Sequence, residues 1–293
     1  NTTDKGTVRL ILNNASISNT TTAPIKVLDA KKVILTLADN TTNTITDSSR
    51  LSTEEDYSAV IYSKEDLIIN GNGTLNVNAG YRNGIKSTDD CIIVSGTLNI
   101  TSTEDGIIGK DLCGIVAGDI NINAGSDGIK STYDTDTTKG NVIIEGGNIT
   151  IKASNDGIQA ENILVINDGT INIKTNNCAA DTTQTHIDNM DMGRGGFGFN
   201  NNKTTTTTDD TSESRKGIKA GNMLIINDGD ITIDSDDDSV HCNSVIYIYG
   251  GTINAATGDD GVHADDLLTV NGGTINITQC YEGLEADDIV IND

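Results

Sequence analysis

The feature that most constrains this chain is a short sequence that recurs along it at a fixed spacing. The copies include "STEDGIIG", "GSDGIKS", "SNDGIQA", "SRKGIKA", "GDDGVHA" and "YEGLEA". The residue before the first aliphatic position recurs at steps of 22, 22, 29, 60, 22, 22 and 22, as Gly84, Gly106, Gly128, Gly157, Gly217, Ser239, Gly261 and Gly283. With weaker copies near Ile25 and Ile61, about ten copies cover nearly the whole chain. This continuity predicts one elongated domain over residues 1–293.

Two of these steps are longer because each contains an insertion. The shorter insertion contains "YDTDTTKGN", and the longer one, at about 175–215, contains a threonine tract and "MDMGRGGFGF". Loops of that length in compact domains are usually functional or disordered. A lid over neighbouring strands is one role for the long loop, and the sequence does not decide it.

Each copy contains three short strand-like segments, which we call a ("GIK" or "GVH"), b ("LLTV") and c ("GTINI"). Segment c alternates strictly, with aliphatic residues in one column and Asn or Thr in the next, which predicts one inward and one outward face. A helical repeat would need apolar spacings of three and four, which are absent. The period therefore predicts an all-β fold, a right-handed parallel β-helix of about ten coils stacked ~4.8 Å apart.

Composition and net charge limit the classes of partner that this chain is expected to bind. The chain has no tryptophan and one proline, so isoleucine, valine and leucine must form its core. Its formal net charge of −24 argues against a nucleic-acid partner, because binding phosphates needs a basic face. The same charge argues against an anionic membrane surface. No apolar run approaches the ~18 residues of a spanning helix, and we expect no transmembrane segment in this chain.

The five cysteines are interpreted as structural. Cys91 and Cys113 are 22 residues apart and occupy the same b position, so they are expected to stack on adjacent coils. Stacking brings them within disulfide reach, but parallel Cβ vectors fit the bridge badly, and free buried thiols are the preferred interpretation. Cys242 is expected to face inward. No CxxC spacing indicates a zinc site.

Carboxylates are crowded at the corner between segments c and a. Stacking would bring equivalent carboxylates ~5 Å apart, where they repel by roughly 1 kcal/mol even in water. Calcium accepts six to eight oxygen ligands with loose geometry, so it is the expected cofactor. The first predicted site comprises Asp237, Asp238, Asp259, Asp260, Glu282 and Glu285. The second comprises Asp105, Asp127 and Asp156, with Asp134 and Asp136 as further candidate ligands. The alternative is that these residues are solvated turn aspartates.

Candidate ligand-binding residues lie beside these corners. The outward a positions carry Lys86, Lys130 and Lys219. As an ammonium ion, a lysine there would hold the carboxylate of an acidic sugar; with a lowered pKa, its neutral amine would remove the C5 proton of that sugar. Ordinary surface lysines are the alternative. His241 and His263 stack 22 residues apart and are expected to flank the ion or the ligand. Outward-facing Tyr247, near Tyr249, is expected to offer a short stacking platform for a sugar.

The "DDGVH" of Asp259 to His263, preceded one coil earlier by Asp237 and Asp238, resembles the calcium-binding corner of the β-helical pectate lyases of polysaccharide lyase family nine. In that family a further aspartate, three residues beyond the second, joins the ion, and a lysine on a nearby coil is the base. Here that further position is His263, which departs from the pattern. The resemblance makes Lys130 the candidate base of a calcium-dependent pectate lyase acting by β-elimination.

More broadly, the repeats "DGIK" and "GGTINI" resemble those of bacterial β-helical carbohydrate-binding domain-containing proteins over most of the chain. That resemblance implies an extracellular protein attached to the cell surface, loaded with calcium, that binds plant cell-wall polysaccharide such as polygalacturonate or cellulose. Non-catalytic binding is the preferred prediction and a pectate lyase is the alternative. An adhesin or structural spacer that binds calcium but no glycan remains a third hypothesis.

Overall fold

The structure is a computed structural model that describes residues 6–48, 57–176, 178–180 and 214–292. Within these ranges the chain forms a right-handed parallel β-helix whose successive turns place segments a, b and c on three separate sheets. Each strand pairs in parallel with the equivalent strand of the next coil. The fold predicted from the 22-residue repeat is therefore confirmed.

The described strands are numbered in chain order and grouped by sheet. Sheet b contains β1 (Thr7–Leu12), β4 (Lys32–Leu37), β7 (Leu67–Gly71), β10 (Asp90–Ile93), β13 (Leu112–Ile115), β16 (Asn141–Ile144), β19 (Ile163–Ile166), β22 (Met223–Ile226), β25 (Val245–Ile248), β28 (Leu267–Val270) and β31 (Asp288–Ile291). Sheet c contains β2 (Ser16–Asn19), β5 (Thr42–Asp47), β8 (Thr74–Ala79), β11 (Thr97–Ser102), β14 (Asp119–Ala124), β17 (Asn148–Ala153), β20 (Thr170–Thr175), β23 (Asp230–Ser235), β26 (Thr252–Thr257) and β29 (Thr274–Gln279). Sheet a contains β3 (Ile25–Val27), β6 (Ala59–Ser63), β9 (Asn83–Ser87), β12 (Ile107–Gly109), β15 (Ile129–Lys130), β18 (Ile158–Ala160), β21 (Ile218–Ala220), β24 (Val240–Cys242), β27 (Val262–Ala264) and β30 (Leu284–Glu285).

The core is a set of aliphatic columns running along the helix axis. On sheet c, the alternation predicted from the sequence places one column inside, and Leu98, Ile120, Ile149, Ile171, Ile231 and Ile253 are all at most 1% exposed. Burying one such side chain contributes about 1.5–3 kcal/mol. Stacking aliphatic residues repeats that contribution at each coil.

Glycine is required where neighbouring coils come closest. A Cβ atom added to Gly128 would lie 2.5 Å from the carbonyl oxygen of Gly157 and 2.5 Å from a methyl group of Ile151. Gly118 has a φ angle of 122°, a conformation that other residues rarely adopt. The "DG" and "GG" elements of the repeat therefore mark the corners, and the first of them brings the acidic residues onto consecutive coils.

Three of the five cysteines agree with their interpretation as buried structural residues, whereas Cys178 is half-buried and Cys280 is exposed. Cys91 and Cys113 are register partners on β10 and β13, are fully buried and are not bridged. Burial raises the pKa of the Cys113 thiol to about 12, which keeps it protonated and unreactive. Cys242 is also free and buried, as predicted.

The long insertion is described only at its two ends. After β20, a short 3-10 helix spans Cys178–Ala180, and the description resumes at residue 214. The lid considered above falls on residues 181–213, which lie outside the described residues. None of the helices in the described ranges has the length and hydropathy that crossing a membrane would require.

Candidate functional site

The corner between sheets c and a is built from carboxylates that accept backbone hydrogen bonds from the next coil. Asp127 donates its N–H to Asp105 Oδ1 at 3.1 Å, Asp156 donates to Asp127 Oδ1 at 3.0 Å, and the N–H of residue 216 reaches Asp156 Oδ1 at 2.8 Å. The same contact recurs farther along the corner, where the backbone N–H of Asp260 donates to Asp238 Oδ1 at 3.0 Å. One oxygen of each corner aspartate therefore holds two coils together.

The second oxygen of these aspartates faces the outward residues of sheet a. Asp127 Oδ2 accepts a hydrogen bond from Lys130 Nζ at 2.5 Å, and Asp156 Oδ2 lies 3.8 Å from Lys219 Nζ. Burial alone would lower the pKa of Lys130, but Asp127 and neighbouring aspartates outweigh it and raise that pKa. Lys130 is therefore held as an ammonium ion, which suits the binding of an anion better than the removal of a proton.

The second predicted calcium site is already neutralised in part by these contacts. Asp105, Asp127 and Asp156 each give one oxygen to a backbone N–H, and two of them face lysines. Burial raises the pKa values of Asp105 and Asp156. Among the described residues, these three do not form a group whose ligand atoms converge within 4.8 Å. Calcium at this stack stays a prediction that the geometry supports weakly.

The additional ligands considered for that stack lie elsewhere. Asp134 and Asp136 are in the connection from β15 to β16, at the other end of strand a. There they line a pocket with Glu161 and Asn162, and Asp136 Oδ1 accepts hydrogen bonds from Thr138. They were wrongly grouped with Asp127, because the insertion follows strand a and so leaves at the opposite corner.

The first predicted site separates into two groups. Asp237, Asp238 and Asp259, which we call the three-aspartate group, bring carboxylate oxygens within 4.8 Å of one another. Asp260 and Glu285 instead converge on His263. Glu282 belongs to neither group; its N–H donates to Asp260 Oδ1 at 3.0 Å. Of these two groups, only the three-aspartate group offers the all-oxygen set that calcium prefers. Elsewhere among the described residues, Asp66, Asp89 and Asp90 form another all-oxygen group.

Lys216 is the residue of this site that the sequence analysis missed. It occupies the corner position that aspartate takes in other copies, and its Nζ contacts Asp237 Oδ1 at 3.0 Å and Asp238 Oδ2 at 2.7 Å. Burial opposes its charge, but Asp238 and Asp237 outweigh burial and raise the pKa of Lys216. Its ammonium is thus a tethered cation at the three-aspartate group. In the sequence, "SRKG" stands where other copies have "xxDG", and this difference was the signal that could have identified Lys216.

His241 and His263 lie one above the other on adjacent coils, as predicted. Their ring centroids are 4.8 Å apart with planes at 81°. His241 Nδ1 lies 2.8 Å from Asp238 Oδ2, and its Nε2 lies 2.8 Å from Asn243 Oδ1. Although burial opposes ionisation of Asp238, contacts with His241, His263 and Lys216 hold its pKa well below the usual range.

The residues of sheet a that alternate with the core positions form one register column, which we call the strand-a column, and within it Tyr62 and Ile108 are each 3% exposed. Along it stand Lys26, Tyr62, Lys86, Ile108, Lys130, Gln159, Lys219, His241, His263 and Glu285. Its four lysines occupy alternate coils, which places them ~10 Å apart. In a chain of net charge −24, this column is a regularly spaced row of cations.

Tyr247 does not belong to this column. It lies on β25 of sheet b, half-buried, and its ring stacks beside that of Tyr249 with centroids 6.3 Å apart and planes at 21°. Tyr249 is 51% exposed, more than its neighbour. The two rings predicted to form a sugar platform therefore lie side by side, but on a different face from the lysines, and Tyr249 is the more exposed of the two. Their contact with a sugar stays a prediction.

The outer face of sheet c carries a ladder of amides. Asn99 donates to Asn76 Oδ1 at 2.9 Å, and Asn121 donates to Asn99 Oδ1 at 3.1 Å. Farther along the same sheet, an open groove of about 390 Å³ is lined by residues that include Lys152, Lys174 and Asp234. These amides hydrogen-bond to one another, so part of the hydrogen-bonding capacity of this face is used without a ligand.

Comparisons with known proteins agree with this architecture. A family model described as "Carbohydrate-binding domain-containing protein" matches residues 1–261. A protein with the same description from Acetivibrio thermocellus is 39% identical over 95 residues, which are 31% of this chain and 33% of that protein. This chain thus spans about a third of the length of that relative.

A solved structure extends the similarity to the fold. It is described as the polysaccharide lyase-like protein from C. thermocellum, in a gadolinium derivative. Its TM-score with this chain is 0.57 at 36% sequence identity, and the alignment covers 58% of this chain and 70% of that one.

Proposed function

Since this chain belongs to the family of carbohydrate-binding domain-containing proteins, we propose that it binds plant cell-wall polysaccharide without cleaving it, with calcium as cofactor and polygalacturonate as the preferred ligand. The observation that carries the proposal is the strand-a column, in which lysines recur on alternate coils. An extended polyuronate presents carboxylates at regular intervals along its chain. Lysines on a rigid sheet would meet such carboxylates without ordering a flexible loop.

Calcium is assigned to the three-aspartate group. Its oxygens come from two successive coils, and calcium tolerates the irregular geometry that such a corner offers. The related lyase-like protein was solved as a gadolinium derivative. The chain's own charge supplies a second reason, because a polyanion approaching a protein of net charge −24 is repelled unless cations lie between them.

Binding without cleavage is favoured by the state of Lys130. A lysine base must be free and deprotonated near neutral pH. Lys130 instead pairs with Asp127, and its pKa is raised. Burial lowers the pKa of Lys86, but its Nζ is 3.3 Å from Ser58 Oγ. Lys86 also stands five coils before the coil of Asp238, so it is out of reach of calcium at the three-aspartate group.

Cellulose is the second candidate ligand. Tyr247 and Tyr249 form a nearly parallel pair on the outside of sheet b, and aromatic faces are the usual contacts for neutral sugar rings. Such a pair would hold a cellulose chain independently of the lysines and of calcium. We further propose, from the resemblance of the repeats, that the protein works outside the bacterial cell, attached to its surface.

The experiment that tests this function is retention on immobilised polygalacturonate and on cellulose, in calcium and in a chelator, with absorbance of unsaturated product recorded in parallel. The proposal expects retention on polygalacturonate that calcium promotes, and no product. Product that disappears in Lys130→Ala would establish a lyase instead. Retention on cellulose alone would assign the function to the tyrosine pair, and retention on neither would support a structural role.

A further inference from the structure

We propose that His263, Asp260 and Glu285, with Asp238 beside them, form a binding site for a divalent transition-metal ion that adjoins the calcium site proposed at the three-aspartate group. The four residues come from three successive coils. His263 Nδ1 lies 3.6 Å from Asp238 Oδ2, 3.6 Å from Asp260 Oδ2 and 3.4 Å from Glu285 Oε2. One imidazole nitrogen is therefore surrounded by three carboxylate oxygens.

These separations are those of ligands rather than of hydrogen-bond partners. A hydrogen bond from a ring nitrogen to a carboxylate is normally about 2.7–2.9 Å long. A tetrahedral ion bound at about 2.1 Å from each of its ligands separates those ligands by about 3.4 Å. The distances of 3.4–3.6 Å from Nδ1 match this separation. Asp260, His263 and Glu285 bring their ligand atoms within 4.8 Å of one another, whereas Asp238 converges with His263 and His241 in an adjoining group.

The imidazole determines which class of ion fits. Calcium takes oxygen ligands, whereas imidazole nitrogen suits zinc, cobalt, nickel and related ions. An Nδ1 atom among three carboxylates would therefore bind zinc or cobalt in preference to calcium. The three-aspartate group next to it contains no nitrogen ligand, so the two sites differ in donor chemistry although they share Asp238.

Two of the three carboxylates are held in place before any ion arrives. Asp238 and Asp260 are 1% and 2% exposed. Their Oδ1 atoms accept backbone N–H groups of the following coil at 3.0 Å, which directs each Oδ2 towards His263. His241 Nδ1 lies 2.8 Å from Asp238 Oδ2 and fixes that carboxylate from the other side. His241 is thus a positioning residue, of the kind that supports metal ligands in other proteins.

The crowding of carboxylates in the group also favours a cation. Three carboxylates surround one imidazole, which carries at most a single positive charge. Lys216 contacts only Asp238 among them. A bound dication would bring the remaining charge close to zero, and it would do so whether or not the protein binds glycan. The inference is therefore independent of the proposed function.

The test is titration of the tag-free protein with Co²⁺, followed by its visible absorption, and then displacement by Zn²⁺. A four-coordinate site with one nitrogen ligand gives a strong visible band, and we expect one equivalent to bind. Addition of Ca²⁺ in hundredfold excess is expected to leave the band in place. Loss of the band at equal Ca²⁺ would overturn the proposal, because it would show a site selected for oxygen ligands.

Variants locate the site. We expect His263→Ala to weaken Co²⁺ binding at least about 100-fold and His241→Phe to weaken it about tenfold, since supporting residues typically contribute 10–100-fold. His263→Asp, which makes the ligand set all oxygen, is expected to exchange the preference for Co²⁺ for one for Ca²⁺. Asp90→Asn, in a separate acidic group, is the control and is expected to change nothing. Unaltered Co²⁺ binding in a folded His263→Ala protein would contradict the assignment.

Discussion

Asp127 Oδ1 accepts a hydrogen bond from the backbone N–H of Asp156 at 3.0 Å, and Asp156 is the equivalent residue one coil later. The contact is buried, and similar contacts recur at the same corner from Asp105 to Asp127 and from Asp238 to Asp260. Much of the acidic crowding at this corner therefore serves to fasten one coil to the next. The ion binding proposed above would be a second use of carboxylates that already join the coils.

Removing one of these contacts is expected to destabilise the helix. Asp127→Ala leaves a buried N–H without its partner, which costs about 1–3 kcal/mol in the free energy of unfolding. Asp127→Asn retains the acceptor oxygen and is expected to cost less than half as much. Urea denaturation measures both. Asp230→Ala, on the exposed face of β23, is the control and should stay within about 0.5 kcal/mol of the wild type; equal losses in all three variants would contradict the role of the corner.

Lys216 is expected to compete with calcium. Lys216→Met removes the ammonium that contacts Asp237 and Asp238, so calcium affinity at the three-aspartate group should rise at least about tenfold, or 1.4 kcal/mol. In a chelator the same variant should unfold more easily, because a buried carboxylate loses its partner. Calorimetric titration and thermal melts measure the two effects, with Lys152→Met as the control. Unchanged or weaker calcium binding in Lys216→Met would remove calcium from this group.

The acidic cluster of Asp66, Asp89 and Asp90 is expected to make the stability of the protein depend on pH. Burial, followed by repulsion from Asp66 and contact with Asp111, raises the pKa of Asp89 to about 6. The folded state then binds a proton more tightly than the unfolded chain does, so this group's contribution to stability decreases as pH rises from about 4 through 6. Asp89→Asn should therefore raise the Tm at pH 7.5 and raise it clearly less at pH 4.5. An equal shift at both values would show that ionisation is not the cause.

The strand-a column is expected to carry most of the affinity for polygalacturonate. The Lys130→Ala/Lys219→Ala double variant removes two cations that stand two coils apart, and its retention should fall at least tenfold. The Lys152→Ala/Lys174→Ala variant removes the same charge from adjacent coils of sheet c and is the matched control. Retention should also weaken as salt rises, because exposed charges are screened. A larger loss in the control would move the ligand to the groove on sheet c.

The period and alternation of the repeat were enough to predict the coil, its three sheets and its inward columns. These depend on local rules, because one residue type recurs at each inward position and glycine at each close approach. The outward lysine column was likewise predictable, since register follows from the 22-residue step. The position of Asp134 and Asp136 was not, because the path of an inserted segment depends on which corner it leaves.

The chemistry of the corner was harder to predict than its location. The sequence analysis treated the aspartates as a stack of repelling charges. It left out the hydrogen bonds that each aspartate accepts from a backbone N–H group, because these contacts form only between coils that are already in place. Lys216 was overlooked because one lysine at an aspartate position looked like a lost ligand rather than a counter-ion. The division of the predicted six-residue site into an all-oxygen group and a group around His263 depends on side-chain directions that spacing does not specify.

The most direct measurement of the central claim is a crystal structure of the protein with calcium and a tetragalacturonate. The account predicts calcium at Asp237, Asp238 and Asp259, and sugar carboxylates about 2.7–2.9 Å from Nζ of Lys130 and Lys219, with the chain running across the coils of sheet a. An oligosaccharide lying on sheet c or beside the tyrosine pair, with the strand-a column uncovered, would contradict it.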